Sequence, residues 1–153
     1  MTIYSVSAIA SVKNGRREIE DDNWGDVVSI IELDPSLPEE ALFELESFSH
    51  AEIIYYFHLV EDTKVETGSR HPRNNMEWPK VGILSQRGKN RPNRLGATIV
   101  KILKREGRHI HVQGLDAIDG TPILDIKPVM LEFLPREEVT QPVWATELMK
   151  HYW

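Results

Sequence analysis

The stretch Gly82–Gly96, GILSQRGKNRPNRLG, passes from one predicted strand to another through a loop, with no helix between them. The apolar run Val81 to Leu84, bounded by Pro79 and Gly88, suits a short buried strand. The chain then breaks into a loop carrying Arg87, Lys89, Arg91 and Arg94. Pro92 fixes its own φ and Asn93 tolerates tight turn geometry, so Arg91-Pro92-Asn93 forms a turn. Gly96 lets the chain re-enter a strand over Ala97 to Leu103. The glycine spacing is not that of a dinucleotide fingerprint, which argues against a doubly wound nucleotide fold. Four cations on one loop repel each other. An anionic ligand gives a reason to gather them, because guanidinium forks bind phosphate or carboxylate bidentately. A loop that is merely solvated is the plainer alternative.

The strands around this stretch are short and closely spaced. Tyr4 to Val12 is predicted as a strand, Asn14-Gly15 as a turn, and Val27 to Leu33 as a second strand. Pro38 begins a short helix with Glu39 and Glu40 at its positive end and Ala41, Leu42, Leu45 and Phe48 on its apolar side. Ala51 to Val60, AEIIYYFHLV, is the strongest strand and reads as central. A long polar loop from Glu61 to Trp78 carries Arg70, His71, Pro72 and Arg73, and loops of that length are often functional. His109 to Leu115 and Thr121 to Met130 complete the strands, and Pro142 to Tyr152 has the apolar stripe of a helix. About seven strands and two short helices, at hairpin spacing after residue 80, predict a mainly β fold. Its form is a small closed antiparallel β-barrel, one domain over residues 1–153.

Composition bounds the function. The 153 residues carry a net charge of -6, with 41% hydrophobic and 27% charged residues, as in an ordinary soluble globule. No run is long and apolar enough for a membrane span, and Met1-Thr2-Ile3-Tyr4 does not open a signal peptide, so a cytoplasmic location is expected. Charge is unevenly spread. Residues 1–66 hold 15 of the 24 acids, whereas residues 70–105 hold ten of the 18 bases and only Glu77 as an acid. Such asymmetry can present a positive face on an acidic protein, unless the fold brings the acidic segment alongside.

A second chemical stretch is Gly114–Pro128, GLDAIDGTPILDIKP. Asp119-Gly120 is a strong turn dipeptide, and Asp116, Asp119 and Asp125 lie close in sequence. Carboxylates bind cations or act as bases, so a basic loop and an acidic turn together suit a ligand with both charges. Asp119 as a plain turn residue, and Asp125 paired with Lys127, are the simpler readings. His109 and His111 share a strand face, but no third ligand is nominated, and no metal is expected. His58, in the most apolar strand, reads first as a hydrogen-bonded core residue.

QRGKNRPNRLG followed by GLDAIDGTPILDIKP resembles the paired motif of the TsaA-like, or TrmO, family, also described as YaeB-like or VirR-like. The likeness extends through Phe48-Ser49-His50, Phe57-His58 and Arg70-His71-Pro72-Arg73, covering about residues 3 to 130. It implies a TsaA-like β-barrel that uses S-adenosyl-L-methionine to N6-methylate threonylcarbamoyl-adenosine next to the tRNA anticodon, commonly as a homodimer. By the resemblance, the cofactor contacts fall on His58, Leu59, Arg87, Ala97, Leu115, Asp116 and Ala117, with Asp21 to Gly25 approaching. Arg70, Arg73, Lys89, Arg91 and Arg94 are the expected tRNA contacts, and Asp116 and Asp119 the candidates for a base. Lys89 and Arg94 are charges beyond those of many relatives. The expected chain also ends at Trp153 without the further domain of longer members, so cofactor binding carries over more directly than the tRNA target. A non-catalytic S-adenosylmethionine- or RNA-binding dimeric barrel, and an enzyme acting on a small anionic substrate, are the rival readings.

Overall fold

Side chains alternate across a strand, so an apolar-polar alternation decides which face lies inward. In the computed structural model, which describes residues 1–153, the strands are β1 (Ala10–Lys13), β2 (Val28–Leu33), β3 (His50–Tyr56), β4 (Ser69–Arg70), β5 (Val81–Gly82), β6 (Leu95–Glu106), β7 (His109–Gln113) and β8 (Pro122–Pro128). Six of them close an antiparallel barrel in the order β1-β2-β7-β6-β3-β8, and β4 and β5 form a separate two-stranded ribbon. In β3, Ala51, Ile53 and Tyr55 point inward and are fully buried, while Glu52, Ile54 and Tyr56 are half-buried on the outside. Ile31, Ile110, Val112 and Ile123 meet them in the interior. Each such isoleucine, removed wholly from water, contributes on the order of 2–3 kcal/mol.

Closure depends on β6, whose twelve residues serve two neighbours. Leu95 to Lys101 pair with β3, and Lys101 to Glu106 pair with β7, with a bulge between Ile102 and Lys104 where the strand bends. The last seam is short: Ala10 faces Ile123 and Ser11 faces Pro122. Pro122 is the first residue of β8, where a missing N–H costs no ladder bond.

Several expected boundaries move. The first strand begins at Ala10, not Tyr4; Ile3, Tyr4 and Val6 are exposed, because no strand lies beside them to accept a ladder. The helix expected after Pro38 is two 3-10 turns, Glu39–Leu42 and Leu45–Ser47, split by Glu44 at φ +69°. Leu42 still buries itself as the apolar anchor. The strongest strand stops at Tyr56, opposite Leu95 where β6 starts, so His58 lies in a turn and not among core strand residues. The strand expected at Val81 to Leu84 keeps two residues and continues as a 3-10 turn, Ile83–Ser85, with Ile83 buried. His109 and His111 point outward toward Glu32, at 3.9 Å, and Glu106, at 3.5 Å. The last helix, α1 (Val143–Leu148), is one and a half turns long and continues in turns to Tyr152.

Gly96 is required by packing more than by turn geometry. It pairs with Tyr55, and a Cβ there would come within 2.4 Å of the Tyr55 ring. Gly96→Ala is expected to destabilise the barrel by about 1–3 kcal/mol through overpacking. Urea denaturation of the variant against wild type measures it, and an unchanged midpoint would contradict this packing.

Candidate functional site

One large cleft, about 1080 Å³, opens at the mouth of the barrel. Its walls come from the ends of β3 and β6, the loop between β7 and β8, the β4-β5 ribbon with the basic loop, and the segment Gln141–Trp153. The basic loop and the Gly114–Pro128 stretch, distant in sequence, meet here.

At its centre is Asp116, on the loop after β7, flanked by the buried Leu115 and Ala117. The carboxylate accepts three hydroxyl hydrogen bonds. Tyr55 Oη–H donates to Oδ1 at 3.1 Å and to the Asp116 carbonyl at 3.2 Å. Thr98 Oγ1–H also donates to Oδ1, and Tyr152 Oη–H donates to Oδ2. Burial raises the pKa of both tyrosines above the ordinary 10.0, and the Asp116 charge adds to the effect; the Arg87 charge opposes it. Both phenols therefore stay protonated at neutral pH and act as donors, not bases.

Of the residues the sequence nominates for a cofactor, His58, Leu59, Arg87, Ala97, Asp116 and Ala117 line this cleft. Leu115 does not; it is fully buried beneath the loop in the hydrophobic core. Asp21 and Trp24, from the acidic connection, line it as well. Arg87 reaches across the loop, its Nη2–H donating to the Ala97 carbonyl at 2.5 Å.

The nominated phosphate contacts divide. Arg70, Arg73 and Lys89 line the cleft, whereas Arg91 and Arg94 lie outside it. Arg91 Nη1–H donates to the Gln86 carbonyl at 2.5 Å. Arg94 sits over the Tyr56 ring, pairs with Asp62 at 2.8 Å and donates to the Val60 carbonyl, so it braces its own loop. Arg73 is held by Asp22 at 2.9 Å. The acidic first third thus does approach the basic segment, though Arg70, Arg87 and Lys89 form no ion pair.

Asp119 is not among the cleft residues. Its Oδ1 accepts the Asn14 N–H at 3.0 Å, and Gly120 follows at φ +83°, so it serves the turn. Asp125 pairs with Lys127 at 2.7 Å. Sequence reasoning missed Tyr55, Thr98 and Tyr152. The first two read as ordinary strand residues and the third as part of an apolar helix stripe. A strand hydroxyl facing a barrel mouth carries no signal until its partner is located.

A closed barrel with a cleft of mixed polar and apolar lining at its mouth stands outside the doubly wound nucleotide folds. A family model described as the tRNA-methyltransferase O N-terminal domain matches residues 20–133, and the chain belongs to that family. It is similar to a human tRNA (adenine(37)-N6)-methyltransferase, 40% identical over 106 residues, which cover 69% of this chain and 24% of the human protein. It is also similar to a probable S-adenosyl-L-methionine-binding protein of Pyrococcus abyssi, 34% identical over 114 residues, 74% of this chain and 59% of that protein. The chain therefore spans about a quarter of the first relative and less than two thirds of the second. A crystal structure of TrmO superposes with a TM-score of 0.74 at 26% identity, over 93% of this chain and 64% of that one. TrmO from Pseudomonas aeruginosa shares the fold at a TM-score of 0.75 and 24% identity, over 94% and 62%.

The raised tyrosine pKa values set a pH dependence. A phenol whose folded pKa lies above its unfolded one contributes its full stability below pH 10.0 and loses it as pH rises beyond. Above pH 10 the stability of wild type should fall by up to about 1.4 kcal/mol per pH unit for each of the two tyrosines. Tyr55→Phe should show a visibly shallower fall. Equilibrium denaturation from pH 9 to 11 checks this; parallel curves for the two proteins would contradict it.

Proposed function

We propose that this barrel binds S-adenosylmethionine in the cleft around Asp116 and methylates N6 of an adenosine in tRNA. The finer target is threonylcarbamoyl-adenosine beside the anticodon. The observation that carries the reading is the convergence, in a chain of this family, of Arg87, His58, Ala97 and Asp116 on one cleft. The chemistry of the lining fits the cofactor. Arg70 Nε is buried in the cleft wall without a partner, a donor suited to an anionic group. Arg87 has N–H groups beyond the one given to Ala97, and Asp116 offers a negative charge to a cationic group. Trp24 and Phe57 supply apolar walls for an aromatic base.

The cofactor, when bound, supplies an electrophilic methyl group. Arg70 and Arg87 would hold its carboxylate end and Asp116 its cationic side, while the loop bearing Leu115 and Ala117 fixes the depth at which it sits. The protein's contribution is then largely orientation and exclusion of water, which can supply much of a rate enhancement. Asp116, the carboxylate at the cleft centre, is already hydrogen-bonded three times, and His58 is another candidate base among the lining residues. Positioning, rather than strong base catalysis, is the reading this favours. Lys89 at the rim would meet phosphates, and exposed Leu59, Leu84 and Ile99 offer an apolar surface to a second copy of the chain.

The purified protein is expected to bind S-adenosylhomocysteine by calorimetry and to transfer one methyl group to adenosine N6 in tRNA isolated without that modification, detected by mass spectrometry. Binding without transfer would favour a non-catalytic S-adenosylmethionine-binding barrel, and the absence of both binding and transfer would overturn the proposal as a whole. Sedimentation of the same sample should show a dimer.

The two added cations should behave differently. Lys89→Ala should remove about one phosphate contact and reduce the slope of log K against log salt for tRNA by roughly 0.7 to 0.9. Arg94→Ala should leave that slope nearly intact and lower stability by about 1 kcal/mol, because its guanidinium braces Val60 and Asp62. Anisotropy across a salt series, beside denaturation curves, separates them; equal slope changes for both variants would contradict the division.

A further inference from the structure

Asp116 sits on a loop, where no ladder fixes its side chain. Its two oxygens are held differently. Oδ1 is bonded from the barrel wall, by Tyr55 of β3 and Thr98 of β6. Oδ2 is bonded by Tyr152 alone, from the segment Gln141–Trp153, which lies beyond the residues matched by the family model. That segment crosses the cleft and contributes Trp144, Leu148 and Trp153 to its wall.

The segment is lightly attached. Helix α1 has no buried residue, and Val143 on it is 74% exposed. What holds it is a small set of polar contacts. Asn23 N–H donates to the His151 carbonyl at 3.0 Å and Trp24 N–H to the Tyr152 carbonyl at 2.8 Å. Trp78 Nε1–H donates to Glu147 at 2.8 Å. Gly25 leaves the room it needs, since a Cβ there would approach the Trp153 carbonyl carbon to 2.8 Å. Such a segment can lift without unpacking the barrel core, because none of its residues belongs to that core.

We propose that Tyr152 is a positioning residue, that it orients the Asp116 carboxylate toward the ligand, and that Gln141–Trp153 is the strap that carries it there. The cleft is complete only with the strap seated. The ligand's role here rests on the proposal that the cleft takes S-adenosylmethionine. Burial and the Asp116 charge keep the Tyr152 phenol protonated at neutral pH, so it acts as a donor. Its effect passes through Asp116, and this distinguishes it from a residue that merely covers the site.

The test is a double-mutant cycle on the whole chain with S-adenosylhomocysteine as the probe, read by calorimetry. Tyr152→Phe keeps the ring and removes the hydroxyl; it should weaken binding about tenfold, the scale of a hydrogen bond to a charged group. Gly25→Ala, which displaces the strap without touching Tyr152 or Asp116, should weaken it similarly. In an Asp116→Asn background, Tyr152→Phe should add almost nothing. Additive losses, or a Tyr152→Phe variant that binds as wild type does, would overturn the proposal. Amide exchange of the ligand-free proteins supplies a second reading. Asn23 and Trp24 amides should exchange at least about tenfold faster in both Tyr152→Phe and Asp116→Asn, while Val12, bonded to Thr121 in the barrel seam, stays protected. If wild type fails to bind the probe at all, the cofactor reading falls by itself. The exchange data then decide the strap: faster Asn23 and Trp24 amides in both variants support the latch, and unchanged ones overturn it.

Discussion

A charged carboxylate set into the mouth of an apolar barrel must be supplied with donors, and Asp116 imposes that demand on the elements around it. Its neighbours Leu115 and Ala117 are buried, so water alone does not meet it. Tyr55 and Thr98 do, from adjacent inward positions on β3 and β6. Placing a phenol there constrains the next strand in turn. The Tyr55 ring packs against position 96, where only glycine leaves room. Tyr55 also meets Phe57 edge to face at 5.3 Å, which ties the end of β3 to the cleft wall. The glycine that ends the basic loop is thus dictated, at one remove, by a carboxylate twenty residues later.

Charge is sorted by the same fold. The sequence gathers its cations between residues 70 and 105 and most of its acids before residue 67. The structure then cancels part of that separation. Arg73 meets Asp22, Arg94 meets Asp62, and Arg105 meets Glu46 at 2.9 Å. Pairs still open to water on at least one side add little stability, about 0 to 1 kcal/mol each. Their larger effect is to remove cations from the free surface, leaving Arg70, Arg87 and Lys89 unpaired along the cleft. A count of basic residues overstates the anion-binding face, and the ion pairs show which members of the count remain.

The barrel itself was legible because alternation survives in β2, β3, β6 and β7, where the inward residues are mostly aliphatic or aromatic, with Ser29, Gly96 and Thr98 the exceptions. Strand ends were not legible. Tyr4 to Ile9 alternates as well as Ala10 to Val12 does, but only the latter has a neighbour to bond, and neighbours are a property of the closed sheet. The cleft was legible where local chemistry or family resemblance marks a residue, as with Arg87 and Asp116. It was not legible where a residue acquires its role from a contact more than thirty positions away. Tyr55 and Tyr152 are 61 and 36 residues from the carboxylate they serve. Arg94 fails for the same reason in reverse: as a loop cation it reads as free, and Asp62 and Val60 claim it.

The rim of the cleft at Pro72–Asn74 and the turn behind the basic loop are held in backbone conformations that ordinary residues rarely adopt. His71-Pro72-Arg73-Asn74 and Arg91-Pro92-Asn93-Arg94 each begin a 3-10 turn with proline and then place two successive residues at positive φ: 50° and 57° in the first, 62° and 50° in the second. Non-glycine residues there cost roughly 1–2 kcal/mol apiece, and asparagine costs least. The positive-φ pair in each turn is one asparagine and one arginine, and that arginine is fastened to an aspartate on a different segment. Arg70 adds a bond to Asn74 at 3.0 Å. The strain persists because contacts outside the turn over-determine it. Proline removes further freedom from the unfolded loop, and the ion pairs fix the folded one, so the rim is shaped before a ligand arrives. A rim made this way does not have to be ordered at the moment of binding. That reduces the entropy lost on association and leaves the strap, the one lightly held wall, as the part free to move.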